Sequence, residues 1–85
     1  MSTIDLAEQT LGTVLDIARQ VAQGQVDEGM DPITAGFDSI ATMELAMRLE
    51  EELGVDCTLE DVLDSPSFGE LARTLVRRLD AAGSR

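Results

Sequence analysis

The chain has 85 residues and a mass of 9.1 kDa, which is the size of one small domain. It has 17 acidic residues against 6 basic ones, for a net charge of −11, and every basic residue is an arginine. The absence of histidine excludes a Ser-His-Asp triad, a Cys-His pair and an imidazole metal ligand. The absence of lysine excludes Schiff-base chemistry. The acidic charge argues against nucleic-acid binding and predicts partners with basic surfaces.

Nothing in the sequence predicts export or membrane insertion. No apolar run approaches the roughly 20 residues of a transmembrane helix, and residues 1–5 lack the features of a signal peptide. The single cysteine, Cys57, has no partner for an internal disulfide, which fits a reducing compartment. We therefore expect a cytoplasmic, monomeric protein in which residues 1–85 form one domain. The methionine at position 1 favours a free-standing chain over an excised module.

The first predicted helix runs from about Ile4 to Ala22. Apolar residues recur along it at steps of three and four, which places them on one face: Ile4, Ala7, Leu11, Val14, Leu15, Ala18 and Val21. Ser2 and Asp5 are spaced as a capping box at its start, and Gly24 stands just past its end. Residues 23–38 then show no helical period.

This long first loop is unusual for a small domain, and connections of such length are often functional. Its apolar members are predicted to pin it onto the core: Val26, Met30, Ile33 and Phe37.

The second predicted helix begins at Asp38 or Ser39 and ends near Leu53, with Gly54 as its stop. At about 100° per residue, one side of it gathers the core residues Thr42, Leu45, Ala46, Leu49 and Leu53. The opposite side gathers a second apolar stripe flanked by acids: Ile40, Met43 and Met47 with Glu44, Glu50 and Glu51. An exposed apolar stripe of this kind predicts a docking surface, whereas the alternative is burial beneath the first loop.

Two more helices complete the prediction. The third, Leu59–Leu63, follows a T-x-x-D capping box, and the fourth starts at Ser67 with an S-x-x-E pattern. The fourth has a regular apolar stripe made of Phe68, Leu71, Ala72, Leu75, Val76 and Leu79. Residues 81–85 are expected to fray. The predicted fold is an all-α, small four-helix bundle with three principal helices, one short helix and a long first loop.

The start of the second helix resembles a known family. Gly36-Phe37-Asp38-Ser39-Ile40 is similar to the G-x-D-S-[L/I] motif of acyl carrier proteins. The positions that follow agree with the family's spacing: Thr42, Met43, Glu44, Leu45, Leu49 and Glu50-Glu51-Glu52. Size, acidic charge, helix order and the long first loop also agree, so the resemblance covers nearly the whole chain.

The resemblance implies that Ser39 is the attachment point of 4′-phosphopantetheine, which a phosphopantetheinyl transferase takes from coenzyme A. The terminal thiol of this group would hold acyl groups as thioesters, and Asp38 matches the Asp before the family's serine. The family's recognition helix maps onto Ile40, Met43, Glu44, Met47, Glu50 and Glu51. The protein would be a carrier and not a catalyst. Its partners would include an acyltransferase, a ketosynthase or an adenylation enzyme with a basic docking surface.

The resemblance favours a carrier of a bacterial polyketide or related specialised pathway. The motif lacks the G-G-x-S of most peptidyl carriers, and residues 64–72 resemble the D-x-P-T-x-x-x-L-A stretch of modular carriers. Fatty-acid carriers usually retain a Lys or His, which this chain lacks. An aminoacyl or peptidyl carrier loaded by an adenylation enzyme, and a carrier of fatty-acid synthesis, stay as alternatives.

The sequence gives less support to protein classes other than carriers. Residues 27–31 do not match the spacing of oxygen ligands in an EF-hand calcium loop, although an acidic adaptor without an attached group stays open. An enzyme would need a base near Ser39, where Asp38 is the only candidate adjacent in sequence. Cys57 is predicted to be a small buried residue and not a reactive thiol, because no arginine is near it in sequence.

Overall fold

The computed structural model describes residues 5–83, and the regular structure within them is entirely helical. The four helices are α1 (Leu6–Ala22), α2 (Ser39–Leu53), α3 (Leu59–Asp64) and α4 (Phe68–Gly83). α1 packs against both α2 and α4, and α3 packs against α2. The predicted all-α bundle of three principal helices and one short helix, with a long first loop, is confirmed.

One cluster of buried apolar side chains joins the four helices and the first loop. It is aliphatic except for two rings, Phe37 from the loop and Phe68 from α4, whose centroids lie 5.5 Å apart at an interplanar angle of 57°. The predicted α4 stripe is confirmed, because Phe68, Leu71 and Leu75 are fully enclosed. The first loop is therefore part of the core and not a mere connection.

α1 ends at Ala22 as predicted, whereas its N-cap and the residue that stops it differ from the prediction. Asp5 is the N-cap and accepts a hydrogen bond from an N–H of the first turn at 2.9 Å. The partner proposed for it, Ser2, and the apolar Ile4 lie outside the described residues. The helix closes at Gln23, which takes a left-handed φ of 57° and donates its N–H to a carbonyl of the last turn. The stop therefore falls one residue before Gly24.

The buried face of α1 is rotated from the predicted one. Val14 and Ala18 at its centre are buried as predicted, but Thr10 and Ile17 are buried beside them. Ala7 was expected to face the core and instead lines an open groove between α1 and α4. The difference arises because α1 packs between two helices, so its buried sector is set by their positions as well as by its own apolar spacing.

The first loop is anchored by three of its four apolar residues. Val26 and Phe37 are buried and Met30 is partly buried, as predicted. The prediction for Ile33 is wrong, because its side chain is 73% exposed.

A local turn explains the exposure of Ile33. The carboxylate of Asp31 accepts the N–H and the hydroxyl of Thr34, and the N–H of Phe37 donates to the carbonyl of Pro32 at 2.9 Å. Within this turn Pro32 is buried and the adjacent Ile33 is exposed. The loop therefore presents an isoleucine to solvent.

The loop also satisfies the free N–H groups at the start of α4. Phe68 N donates to the carbonyl of Met30 at 2.9 Å, and Gly69 N donates to the carbonyl of Glu28 at 2.8 Å. A Cβ at Gly69 would lie 3.3 Å from that same Glu28 oxygen, so the close approach of the two backbones favours glycine there. These bonds fix residues 28–30 against α4.

The remaining helix ends follow the predicted signals. Gly54 closes α2 with a left-handed φ of 72°. The side chains of Thr58 and Asp61 form a reciprocal capping box on α3. The hydroxyl of Ser67 accepts the N–H of Glu70 at 3.1 Å and caps α4.

α4 continues to Gly83 and therefore includes residues 81–83, which were expected to belong to a frayed tail. Residues 84–85 lie outside the described part of the chain. Among residues 5–83, none of the helices has the length and apolar character that crossing a membrane requires.

Candidate functional site

The turn before α2 holds the start of that helix in place. Gly36 has a φ of 91°, a conformation that side-chain-bearing residues rarely adopt. Phe37 is 7% exposed and its ring packs on an aromatic ring of α4. Asp38 is the N-cap, with its carboxylate accepting the N–H of Ala41 at 2.8 Å. The backbone leading to Ser39 is therefore fixed by conformation, by packing and by a cap.

Ser39 is the first residue of α2 and is exposed. The sequence left open whether Asp38 or Ser39 caps the helix, and the structure assigns the cap to Asp38. The Ser39 hydroxyl is thus not needed for capping. The first turn of α2 contains no acidic side chain beyond its N-cap, so within the described residues of that turn the Asp38 carboxylate alone offsets the partial positive charge of the helix N-terminus. Such a position tolerates an attached group with a negative charge.

The other serines among residues 5–83 have structural roles. Ser65 is only 8% exposed, and its hydroxyl donates to the carbonyl of Asp61 at 2.7 Å. Ser67 caps α4. Of the serines that the structure describes, Ser39 alone combines exposure with a hydroxyl that makes no hydrogen bond within residues 5–83.

The second apolar stripe of α2 is exposed. We call it the exposed strip, and it consists of Ile40, Met43 and Met47. Their exposed fractions are 75%, 49% and 54%. On the opposite side of the same helix, Leu45 and Leu49 are fully enclosed. The alternative of burial under the first loop is therefore wrong for all three residues of the strip.

The acidic residues beside the strip differ in what they contact. Glu44 is exposed, with its carboxylate 3.8 Å from the guanidinium of Arg48. Glu51 is exposed as well. Glu50 is half-buried, and its Oε2 accepts the backbone N–H of Cys57 at 2.9 Å. Glu50 therefore holds the connection between α2 and α3, a contact that the periodicity of α2 did not predict.

Cys57 is 2% exposed and free. Burial of the thiol, together with the nearby carboxylates of Asp61 and Glu50, raises the pKa of Cys57 to about 12. The thiol is protonated at neutral pH and is a poor nucleophile. The prediction of a small buried residue is confirmed.

An ion pair between Arg78 and Asp61 connects α4 to α3 close to Cys57. Arg78 donates to both carboxylate oxygens of Asp61, with an Nη2–Oδ1 distance of 3.0 Å, and also to the carbonyl of Asp56 at 3.0 Å. The hydrogen bond from Arg78 lowers the pKa of Asp61 to about 2. The two side chains lie on different helices, so no local sequence pattern indicated the pair.

A second exposed apolar pair was missed by the sequence analysis. Ile33 of the loop and Leu63 of α3 are 73% and 49% exposed, and both line a shallow depression of about 200 Å³ that also includes Pro66, Asp31 and Asp64. The six residues of α3 are too few to show a helical period. The turn that exposes Ile33 depends on a hydrogen bond that only the structure reveals.

Together these features define a class of protein: a small acidic helical bundle with an exposed serine at the start of a helix whose outer face is apolar. Residues 4–75 match the family model described as the phosphopantetheine attachment site, and the chain belongs to this family. Members of the family attach 4′-phosphopantetheine covalently to a serine and act as carriers. The resemblance to acyl carrier proteins is thereby confirmed at the level of the family. Searches of curated proteins and of solved structures found no match.

Proposed function

We propose that Ser39 bears 4′-phosphopantetheine and that the chain is an acyl carrier protein of a polyketide or related specialised pathway. The observation that supports Ser39 is its exposed hydroxyl, free of the capping role that Asp38 fills. When bound, the group supplies a terminal thiol for thioester attachment of acyl intermediates.

The residues around Ser39 fit this group. Asp38 and Phe37 hold the start of α2, so the hydroxyl is presented on a fixed backbone. The first-turn N–H groups and the helix dipole favour the negative charge of a phosphodiester. The Asp38 carboxylate is engaged as the N-cap, where it accepts the N–H of Ala41, and the Cys57 thiol is buried and protonated at neutral pH. We therefore propose a carrier role without catalysis.

Intact-mass measurement tests the attachment. The protein is incubated with coenzyme A and a broad-specificity phosphopantetheinyl transferase, and the expected result is a mass gain of one phosphopantetheine group. Ser39→Ala should abolish the gain. Ser67→Ala is the matched control, since it removes a serine hydroxyl from another helix start and should leave the gain intact. An unmodified wild type, beside a carrier protein modified in the same tube, would overturn the proposal.

The pathway class rests on the motif sequence, on residues 64–72 and on the absence of Lys and His. The loading step discriminates the alternatives. The modified protein is expected to accept a malonyl-type acyl group from a polyketide acyltransferase. Loading by an adenylation enzyme with an amino acid, and not by the acyltransferase, would assign the chain to aminoacyl or peptidyl carriers. Preferential loading by the acyltransferase of fatty-acid synthesis would overturn the specialised pathway.

The proposed docking face for partner enzymes is the exposed strip with its acidic neighbours: Ile40, Met43, Met47, Glu44, Glu50 and Glu51. The apolar side chains would form the desolvated centre of the contact, and methionine suits a surface that fits several partners. The carboxylates would meet basic residues on the phosphopantetheinyl transferase, the acyltransferase and the ketosynthase. Glu50 would contribute the oxygen that its bond to Cys57 leaves free.

We also propose that residues 1–85 form one carrier domain that is monomeric and cytoplasmic. The single continuous core of the described residues supports the one-domain arrangement. Sedimentation at equilibrium tests the monomer, and a mass of twice 9.1 kDa would contradict it.

A further inference from the structure

The sulfur atoms of the chain, in one cysteine and four methionines, have very different surroundings. The Cys57 thiol is 2% exposed and is protonated at neutral pH because its pKa is raised. Hydroperoxides oxidise accessible sulfur, and they react with a thiol mainly in its thiolate form. Cys57 is therefore protected from them. Met1 lies outside the described residues, which leaves Met30, Met43 and Met47 to compare.

Met30 of the first loop is shielded in two ways. Its side chain is partly buried against the core. Its Sδ accepts the backbone N–H of Asp27 at 3.3 Å, so one lone pair of the sulfur is engaged. The carbonyl of the same residue accepts the N–H of Phe68 at 2.9 Å and fixes the loop. An oxygen atom added to this sulfur would disturb a contact that holds the loop.

The two methionines of the exposed strip lack this protection within the described residues. Met43 and Met47 are 49% and 54% exposed. Neither sulfur accepts a hydrogen bond from residues 5–83, in contrast to that of Met30. The two side chains lie one turn apart on α2 and therefore on the same side of it. Both thioethers are open to a small solute that approaches this face of the helix.

We propose that Met43 and Met47 form a paired modification site for hydroperoxides, and that their oxidation to sulfoxides weakens docking at the exposed strip. A lone pair of each sulfur attacks one peroxide oxygen, the O–O bond breaks and an S=O bond forms. The proton of the transferred oxygen passes to the departing one, which leaves as water when the oxidant is hydrogen peroxide. Each sulfur loses two electrons and each peroxide gains two, so no other reactant is needed.

Oxidation changes the chemistry of the strip without removing a core side chain. A sulfoxide is polar and accepts hydrogen bonds, whereas a thioether is apolar. A partner with an apolar contact surface would have to desolvate this new group. The neighbouring carboxylates of Glu44 and Glu51 are acceptors as well, so they offer it no donor. The consequence for docking rests on the proposed function, whereas the site of oxidation does not.

The first test locates the added oxygen. The full chain is treated with limiting hydrogen peroxide before any phosphopantetheine is attached, and catalase stops the reaction. Cleavage after arginine releases residues 20–48, so Met30, Met43 and Met47 are compared within one peptide by fragmentation in the mass spectrometer. Met43 and Met47 are expected to be oxidised severalfold faster than Met30, with an unchanged circular dichroism spectrum. Oxidation of Met30 at an equal or greater rate would overturn the proposal.

The second test compares the rates at which a phosphopantetheinyl transferase modifies the treated and the untreated chain. The rate should fall by about fivefold or more on treatment, which is the change expected when one polar group is desolvated without a partner. Methionine sulfoxide reductases for both sulfoxide epimers should restore it.

Two variants assign the loss of rate to particular sulfurs. Met43→Leu combined with Met47→Leu should make the rate insensitive to peroxide, whatever the rate of that variant before treatment. Met30→Leu is the matched control, since it removes the shielded sulfur with little change in volume and should leave the sensitivity intact. A double variant that is as sensitive as the wild type would overturn the proposal.

The remaining outcomes separate this inference from the proposals on which it rests. An unchanged rate after oxidation of Met43 and Met47 would overturn the effect on docking. If Met43→Ala nevertheless slows modification of the untreated chain, the exposed strip still stands as the docking face. If Met43→Ala is modified at the wild-type rate, the docking face fails too. An untreated wild type that is not modified at all would overturn the carrier function and the effect on docking together, while the oxidation map would still decide the site.

Discussion

The two sides of α2 are built from similar side chains but have different surroundings. Leu45 and Leu49 are enclosed by α1 and the rest of the core, whereas Met43 and Met47 are about half exposed. Leucine on the inner side is typical of a core that must pack in one way. Methionine on the outer side is flexible and polarizable, which suits contacts that form and break. One helix thus provides stability with one face and, as we propose, recognition with the other.

Truncation of one residue on each side gives the largest expected difference. Leu49→Ala should lower the free energy of unfolding by about 2–5 kcal/mol, because it removes a fully enclosed side chain and leaves a cavity. Met43→Ala should change it by no more than about 0.5 kcal/mol, since its side chain is half exposed. Urea unfolding followed by circular dichroism measures both. Equal destabilisation by the two changes would show that the exposed strip is part of the core.

The start of α2 offers a smaller contrast between two adjacent residues. Asp38→Ala removes the N-cap and should cost about 1 kcal/mol of stability. Ser39→Ala should cost almost nothing, because the hydroxyl makes no hydrogen bond within residues 5–83. Thermal unfolding of the unmodified proteins measures the two effects. A larger loss of stability for Ser39→Ala than for Asp38→Ala would show that Ser39 caps α2, and its hydroxyl would then not be free.

The Asp61–Arg78 pair should contribute a pH-dependent part of the stability. The folded-state pKa of Asp61 is lowered to about 2, below the ordinary aspartate value of about 4. Its stabilisation is therefore complete above about pH 4 and is lost as the pH falls through about 2. Arg78→Gln should remove up to about 1 kcal/mol at neutral pH, the upper range for a partly exposed pair.

Urea unfolding at neutral pH and near pH 2 tests this pair. The difference between wild type and Arg78→Gln should shrink at the lower pH, where Asp61 begins to be protonated. Arg77→Gln is the control, because Arg77 lies beside Arg78 on α4 but, within residues 5–83, its side chain bonds only to Thr74. A difference that is independent of pH would mean that Arg78 stabilises the fold by packing or by its hydrogen bond to the Asp56 carbonyl, and not by its pairing with Asp61.

Many of the features that the sequence predicted correctly either repeat along one helix or form a short local pattern. The faces of α2 and the stripe of α4 follow from the 100° spacing of apolar residues, and the caps at Thr58 and Ser67 follow from short local patterns. The exposed strip was predicted for the same reason. At 100° per residue, Met43 and Leu45 lie on opposite sides of α2 although they are only two positions apart in the sequence. The motif around Ser39 was recognisable because its residues are contiguous.

The features that the sequence missed depend on contacts between elements. Ile33 and Phe37 are equally apolar members of the first loop, and without a period nothing shows which of them faces inward. The inward turn of Glu50 toward Cys57 depends on the path of the chain after α2. The groove above Ala7 depends on how α4 is rotated against α1. None of these can be read from a single helix.

The acidic flank of the exposed strip should contribute little to stability. Glu44→Arg loses a 3.8 Å ion pair with Arg48 and should change the free energy of unfolding by less than about 0.5 kcal/mol. Its effect should fall on recognition. A rim charge mainly speeds the encounter with a basic partner, so the rate of modification by a phosphopantetheinyl transferase should drop severalfold at low salt.

The control must separate the position of the charge from its amount. Glu52→Arg changes the net charge by the same amount as Glu44→Arg. Glu52, however, lies on the side of α2 that faces α1, where it lines the same depression as Gln20. Any long-range effect of charge is the same in both variants, so a slower rate in Glu44→Arg alone locates the contact on the strip. The defect should also fade as salt is raised, because screening removes the attraction that Glu44 provides. Equal rates for the two variants at every salt concentration would mean that partners dock on another surface.

The apolar pair of Ile33 and Leu63 would then be the next surface to alter, since it also has acidic neighbours and exposed aliphatic side chains.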